Sequence, residues 1–245
     1  MSRGRKLLIA ENRPEQLRPR KELFERDDWE VLTAESPEAA CNILTNGWVH
    51  LAVVDLRLRD DDDPDDKSGL ELVKTTDPAI PKIMWSAFPS YEVATEALGL
   101  NANGLPWAVY FVDKARGFQE LREKVEAVFR DKVRINTSLE ILPGPGASLR
   151  ELLGQIEDYR GLLKDRLDIM AEELGDLLRK LFLQEERLVL KHVTPGAGGS
   201  GVVRVQPMMP GGPAEERIVK FGKRDNMRKE VGNFIRYVQP YAGQH

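Results

Sequence analysis

Five short apolar runs alternate with segments of helical spacing across residues 6–133, and no other feature of the 245-residue chain restricts its fold as tightly. The runs are KLLIA (6–10), WEVLTA (29–34), HLAVVDL (50–56), PKIMWSA (81–87) and WAVYFVDK (107–114). Between them lie PEQLRPRKELFER, PEAACNILTNG, SGLELVKT and YEVATEALG, and GFQELREKVEAVFRDKV (117–133) closes the series. In that last segment Phe118, Leu121, Val125, Val128 and Phe129 recur at the spacing that lines one helix face. Ser36 and Pro37 read as an N-cap followed by proline in the first turn. Pro19 must sit in the first turn of its helix or kink it. HLAVVDL shows no polar alternation, as a strand covered on both faces requires. The pattern predicts an α/β fold: a doubly wound, five-stranded parallel sheet filling a first domain, 1–133.

Composition excludes several alternatives. Charged residues make up 31% and hydrophobic ones 41%, an ordinary balance for a water-exposed globular chain. No apolar run approaches the ~20 residues of a membrane span, and MSRGRKLLIA is too short in apolar residues for a signal peptide. A single cysteine, Cys41, leaves no intramolecular disulfide framework and fits a reducing cytoplasm. His50, His192 and His245 are too scattered for a zinc site. Residues 1–133 carry 19 Lys and Arg against 25 Asp and Glu, so nucleic acid is an unsuitable partner for this half.

In an open parallel sheet, ligands bind beyond the carboxyl ends of the strands. Polar residues stand at four of those ends: Glu11 and Asn12 after the first run, Asp55 in the third, Ser86 in the fourth and Lys114 in the fifth. The set suits phosphoryl transfer. Carboxylates hold a hard cation such as Mg²⁺ through oxygen, and Asp55 supplies a nucleophile. Lys114 neutralises charge on the phosphoryl oxygens, and Ser86 offers them a hydroxyl. Taken singly, Glu11 is an ordinary surface acid and Phe111 ordinary core; joint placement carries the inference. The six aspartates of Asp60–Asp66 read as a solvated loop, because like charges repel and Pro64 interrupts a helix. The loop lacks the glycine and terminal glutamate of an EF-hand.

These residues, in this order, give residues 6–133 a resemblance to the receiver domains of response regulators. LLIAEN resembles the acidic end of the family's first strand and AVVDLRL its phospho-acceptor strand. SGLELV resembles the start of its third helix, MWSA its Ser/Thr-Ala element and FVDK its lysine element. The resemblance implies a flavodoxin-like sheet and phosphorylation of Asp55 by a sensor histidine kinase or phosphotransfer protein. It also implies Mg²⁺ held by Glu11, Asp55 and the backbone carbonyl of Arg57, with switching through Ser86 and Phe111. No catalysis is expected beyond the domain's own phosphorylation and dephosphorylation. Three features depart from the family: Asn12 replaces a second acid and ligates more weakly, Ala115 replaces a proline, and the loop between Asp55 and Gly69 is longer. A degenerate receiver that only binds partners is therefore the alternative.

The second half reads as three pieces. Residues 134–148, with Pro143, Gly144, Pro145 and Gly146, are expected to be a linker. Residues 149–192 are expected to form one long helix. Leu149, Leu152, Ile156, Tyr159, Leu163, Met170, Leu174, Leu177 and Leu181 mark a seam over 149–181, broken where Arg166 takes a seam place, which predicts a two-stranded coiled-coil homodimer or a bundle helix. Residues 193–245 combine a glycine loop (Gly198, Gly199, Gly201), a strand lysine (Lys220) and a helix glutamate (Glu230). GGSG, IVKFG and EVGNFIRYVQPY resemble the opening of kinase-like "ternary complex associated" domains. That resemblance implies a partial kinase N-lobe, with the five residues as a nucleotide site. No catalytic Asp element follows before His245, so the expectation is an interaction module or a piece of a longer kinase-like protein.

Overall fold

The computed structural model describes residues 4–159, 161–194, 200–237 and 239. The chain divides into two compact units, which part between Thr137 and Ser138.

The first unit runs β1 (Arg5–Ala10), α1 (Pro14–Arg26), β2 (Trp29–Ala34), α2 (Pro37–Asn46), β3 (Leu51–Val54), α3 (Ser68–Thr75), β4 (Lys82–Ser86), α4 (Tyr91–Ala97), β5 (Tyr110–Asp113) and α5 (Phe118–Val128). All five strands are parallel and stand in the order β2-β1-β3-β4-β5. This is the doubly wound flavodoxin-like arrangement, whose strand order reverses between β1 and β3. Side-chain alternation divides the core in two. Leu7, Ile9, Leu51, Val53, Ile83 and Trp85 pack with Leu17 and Phe24 of α1 and Leu121 and Val125 of α5. Leu8, Ala10, Ala52, Val54 and Met84 pack with Ala40, Leu44, Leu70, Val73, Val93 and Ala97 of α2, α3 and α4. Both faces of the sheet are covered, which is why the central strands β3 and β4 lack polar alternation. Ser36 caps α2 by accepting from the Ala39 amide, with Pro37 at the first helical position. Pro19 lies inside α1 rather than in its first turn.

The second unit runs β6 (Glu140–Pro143), α6 (Leu149–Leu153), α7 (Lys164–Leu181), β7 (Arg187–His192), β8 (Gly201–Met209), β9 (Gly212–Pro213), β10 (Arg217–Phe221) and α8 (Arg224–Tyr237). Its sheet order is β10-β8-β7-β6, with β9 folding back on the end of β8. The β7–β8 and β8–β10 pairs are antiparallel, and β6 joins β7 in parallel.

Two expectations are corrected here. Residues 134–148 are not only a linker, because β6 lies within them and extends the sheet. Residues 149–192 are not one helix. A capping box on Ser148 and Glu151 opens α6, and α6 ends at Gly154 and gives way to a 3₁₀ turn over Glu157–Tyr159. Gly161 has φ +87°, a left-handed conformation that stops a helix and favours glycine. Residues 187–192 are strand, not helix. Leu152, Ile156, Leu174 and Leu178 pack onto Leu188, Leu190, Val203 and Val205 of the unit's own sheet. Part of the seam expected to hold a coiled-coil homodimer, including Leu152, Ile156 and Leu174, is therefore intramolecular core, whereas Leu163, Leu177 and Leu181 of that seam are exposed. Helix-on-sheet packing and a coiled coil demand the same spacing over a few turns, so periodicity alone could not separate them. Among the described residues no helix is long and apolar enough to cross a membrane.

Candidate functional site

The carboxyl ends of β1, β3, β4 and β5 meet on one rim of the first unit. Backbone pairing holds them there: the Asp55 amide donates to the Ala10 carbonyl at 3.0 Å, and the Glu11 amide to the Ala34 carbonyl at 2.9 Å. A close approach fixes the other side of Asp55. A Cβ at Gly69 would lie 1.8 Å from the Asp55 carbonyl oxygen, so only glycine lets α3 start against this strand end. The Gly69 amide donates to the Leu56 carbonyl at 3.0 Å.

Lys114 joins the two acids. Its Nζ donates to Glu11 Oε2 at 2.9 Å and also to Asp55 Oδ2. Glu11, Asp55 and Ser86 are all buried. Burial pushes the Asp55 carboxyl up to about 7; Lys114 opposes this, while the Glu11 and Asp61 charges add to it. Burial also works to raise Glu11, but Lys114 and Arg20 outweigh it and hold that carboxyl below its usual range. The site is thus an asymmetric pair, with Glu11 ionised and Asp55 poised near neutrality. The Ser86 hydroxyl accepts from the Phe88 amide at 3.0 Å. Phe111 is half-buried against the α2–α4 side of the core. Asn12 Oδ1 is buried without a hydrogen-bond partner.

Three nearby residues escaped the sequence reading. Arg20 ion-pairs with Glu11, and its guanidinium lies 4.0 Å from the centre of the Trp85 ring. Its signal was present: Leu17, Arg20 and Phe24 share one stripe of α1, and a cation on a buried stripe calls for an anion. Arg13 and Asp61 form an ion pair that ties the acidic loop to the segment after β1. Nothing in the sequence sets the path of that loop.

The described residues include no group of three His, Cys, Asp or Glu side chains able to hold a metal. The rim nevertheless fits a hard cation in part. It combines two carboxylates with an amide oxygen that no protein group satisfies.

In the second unit, Lys220 on β10 donates to Glu230 Oε2 on α8 at 2.6 Å. The Ser200 hydroxyl reaches Glu230 Oε1 at 2.7 Å. These two bonds hold the Glu230 carboxyl below its usual range. Gly201 opens β8, where a Cβ would lie 2.3 Å from the Phe221 ring, so this glycine makes room for packing. Gly198 and Gly199 lie outside the described residues.

No protein-family model matches the sequence, and no curated protein matches it. Solved structures do resemble it over about half its length. One is a response regulator receiver domain protein from Methanospirillum hungatei, 22% identical, covering 53% of this chain and 97% of that one, with a TM-score of 0.45. Another is a response regulator from Thermotoga maritima in complex with Mg²⁺ and BeF, 23% identical, covering 51% and 98%, TM-score 0.40. A third is the signal receiver domain of an HD domain-containing protein from Pseudomonas fluorescens, 17% identical, covering 53% and 98%, TM-score 0.44.

Proposed function

We propose that residues 6–133 are a response-regulator receiver domain of a two-component system, phosphorylated on Asp55. One observation carries the reading: Lys114 bonded at once to Glu11 and Asp55 on the carboxyl rim of a parallel sheet. An Asp55 carboxylate oxygen attacks phosphorus, the donor's leaving group departs, and an acyl phosphate remains. Lys114 then transfers its contact from the carboxylate to a phosphoryl oxygen. The Ser86 hydroxyl, which accepts from the Phe88 amide, donates its proton to another phosphoryl oxygen. Glu11, Asp55, the Asn12 amide oxygen and the Arg57 carbonyl would hold Mg²⁺, which supplies charge neutralisation for the phosphoryl group. The donor in this reading is a sensor histidine kinase or phosphotransfer protein. Incubation with Mg²⁺ and a small phosphodonor should add one phosphate, and Asp55→Asn should remove it. Absence of labelling under every donor would instead support a degenerate receiver acting as a binding module, in which Arg20 permanently satisfies Glu11.

Residues 193–245 support a second reading as a kinase-like lobe that binds nucleotide. The observation is the Lys220–Glu230 pair at 2.6 Å, set beside the antiparallel β7-β8-β10 sheet. Such a lysine can exchange its glutamate contact partly for phosphate oxygens. Calorimetry with ATP and Mg²⁺ should show binding that Lys220→Ala weakens at least about tenfold, the loss of a charge-assisted contact. Equal heats from the two proteins would leave the lobe as an interaction module.

A further inference from the structure

The acidic loop is built rather than loose. Asp66 Oδ2 accepts from the Arg59 and Asp60 amides, each at 2.9 Å, and its Oδ1 accepts from the Ser68 amide at 2.8 Å. Arg57 donates to the Asp61 carbonyl at 2.8 Å, and its guanidinium lies 3.7 Å from the centre of the Phe88 ring. These contacts turn one carboxylate of the run back toward the rim. The Asp61 side chain is 14% exposed and ion-pairs with Arg13 Nε, while its neighbour Asp62, 97% exposed, lies 3.9 Å from Arg13 Nη2. Arg13 stands two residues after Glu11, and its amide points to Glu11 Oε1 at 3.4 Å. A cation at the lip of the candidate phosphoryl site is thus covered by a carboxylate from the loop.

We propose that Arg13 is the residue that recognises a dianionic phosphodonor at this rim, and that Asp61 competes with the donor for it. Asp61 would then set donor specificity. A small free donor must displace the carboxylate unaided, whereas a protein donor brings further contacts that can move the loop. This rests on Asp55 being the phospho-acceptor. The chemistry on each side is matched: a guanidinium binds carboxylate and phosphate through the same paired N–H groups. Transfer from acetyl phosphate forms the Asp55 Oδ–P bond, breaks the P–O bond to acetate and releases acetate.

The test compares the intact wild-type chain, Asp61→Asn, Arg13→Ala, the double variant and Asp65→Asn, all with Mg²⁺ at low salt. Asp65→Asn removes the same charge from an exposed part of the loop, and circular dichroism confirms folding of each protein. Asp61→Asn should lower the KM for acetyl phosphate about three- to tenfold with little change in kcat, and high salt should shrink the effect. Arg13→Ala should raise KM, and the double variant should lose the gain. An equal shift in Asp61→Asn and Asp65→Asn would overturn the inference, because the loop would then act only as diffuse charge. Calorimetry with inorganic phosphate reads Arg13 without any transfer step. Tighter binding to Asp61→Asn than to wild type and Asp65→Asn is expected, and equal binding overturns the inference whatever the labelling shows. Failure of every protein to label, with phosphate binding still dependent on Asp61, would count against the phospho-acceptor reading alone.

Discussion

Asp55 is a carboxylate held where its charge is poorly solvated, and its titration follows from that. Its folded value, about 7, lies above its ordinary value of 3.8. Between the two the native state binds more protons than the unfolded chain, so this group's contribution to stability is lost as pH rises from about 4 to about 7. In metal-free buffer, the thermal midpoint of Asp55→Asn relative to wild type should therefore climb from pH 4 to pH 8, by roughly 10–15 °C. A gap that stays flat across that range would show the carboxyl to be ordinary. Gly69 gives a second test at this scale. A Cβ there would stand 1.8 Å from the Asp55 carbonyl oxygen, so Gly69→Ala must push α3 or the strand end aside. Urea unfolding should show a loss of about 2 kcal/mol, and labelling of Asp55 should slow with it.

The helices separate spacing from packing partner. Leu178 is fully buried against the second unit's sheet, whereas Leu181 is 61% exposed. Leu178→Ala should cost about 3 kcal/mol, and Leu181→Ala should change stability by no more than about 0.5 kcal/mol. In a coiled coil Leu181 would occupy the seam, and its substitution would weaken association as well as stability. Light scattering beside the unfolding curves distinguishes the cases. The helix break is equally specific. Gly161 holds φ +87° with nothing within 4 Å of a Cβ position, so the penalty for Gly161→Ala is conformational rather than steric. It should amount to roughly 1 kcal/mol.

Each unit of the whole molecule carries its own core: two clusters flank the first sheet, and a third joins α6 and α7 to the second. Calorimetry should resolve this as separable responses. Val53→Ala should lower the transition of the first unit and Leu178→Ala that of the second, with additive effects in the double variant. A single transition moved equally by both substitutions would show one cooperative block.

The strands, helices and rim of the first unit can be read from residue pattern alone. Short apolar runs set between segments of helical spacing point to a parallel sheet covered on both faces, and the polar residues at four of the five run ends, Glu11, Asp55, Ser86 and Lys114, stand at the carboxyl ends of their strands. Periodicity also located the apolar faces of α6 and α7, but not what covers them, because a sheet and a second helix ask for the same spacing. The tertiary structure alone decided that those leucines turn inward and that β6 arises from a segment rich in proline and glycine. It alone brought Arg13 to Asp61, and it chose Glu11 as the anion that the buried stripe of α1 required for Arg20. Ion pairs between residues distant in sequence leave no periodic mark; they form only when chain folding carries two charges to one place where water is scarce.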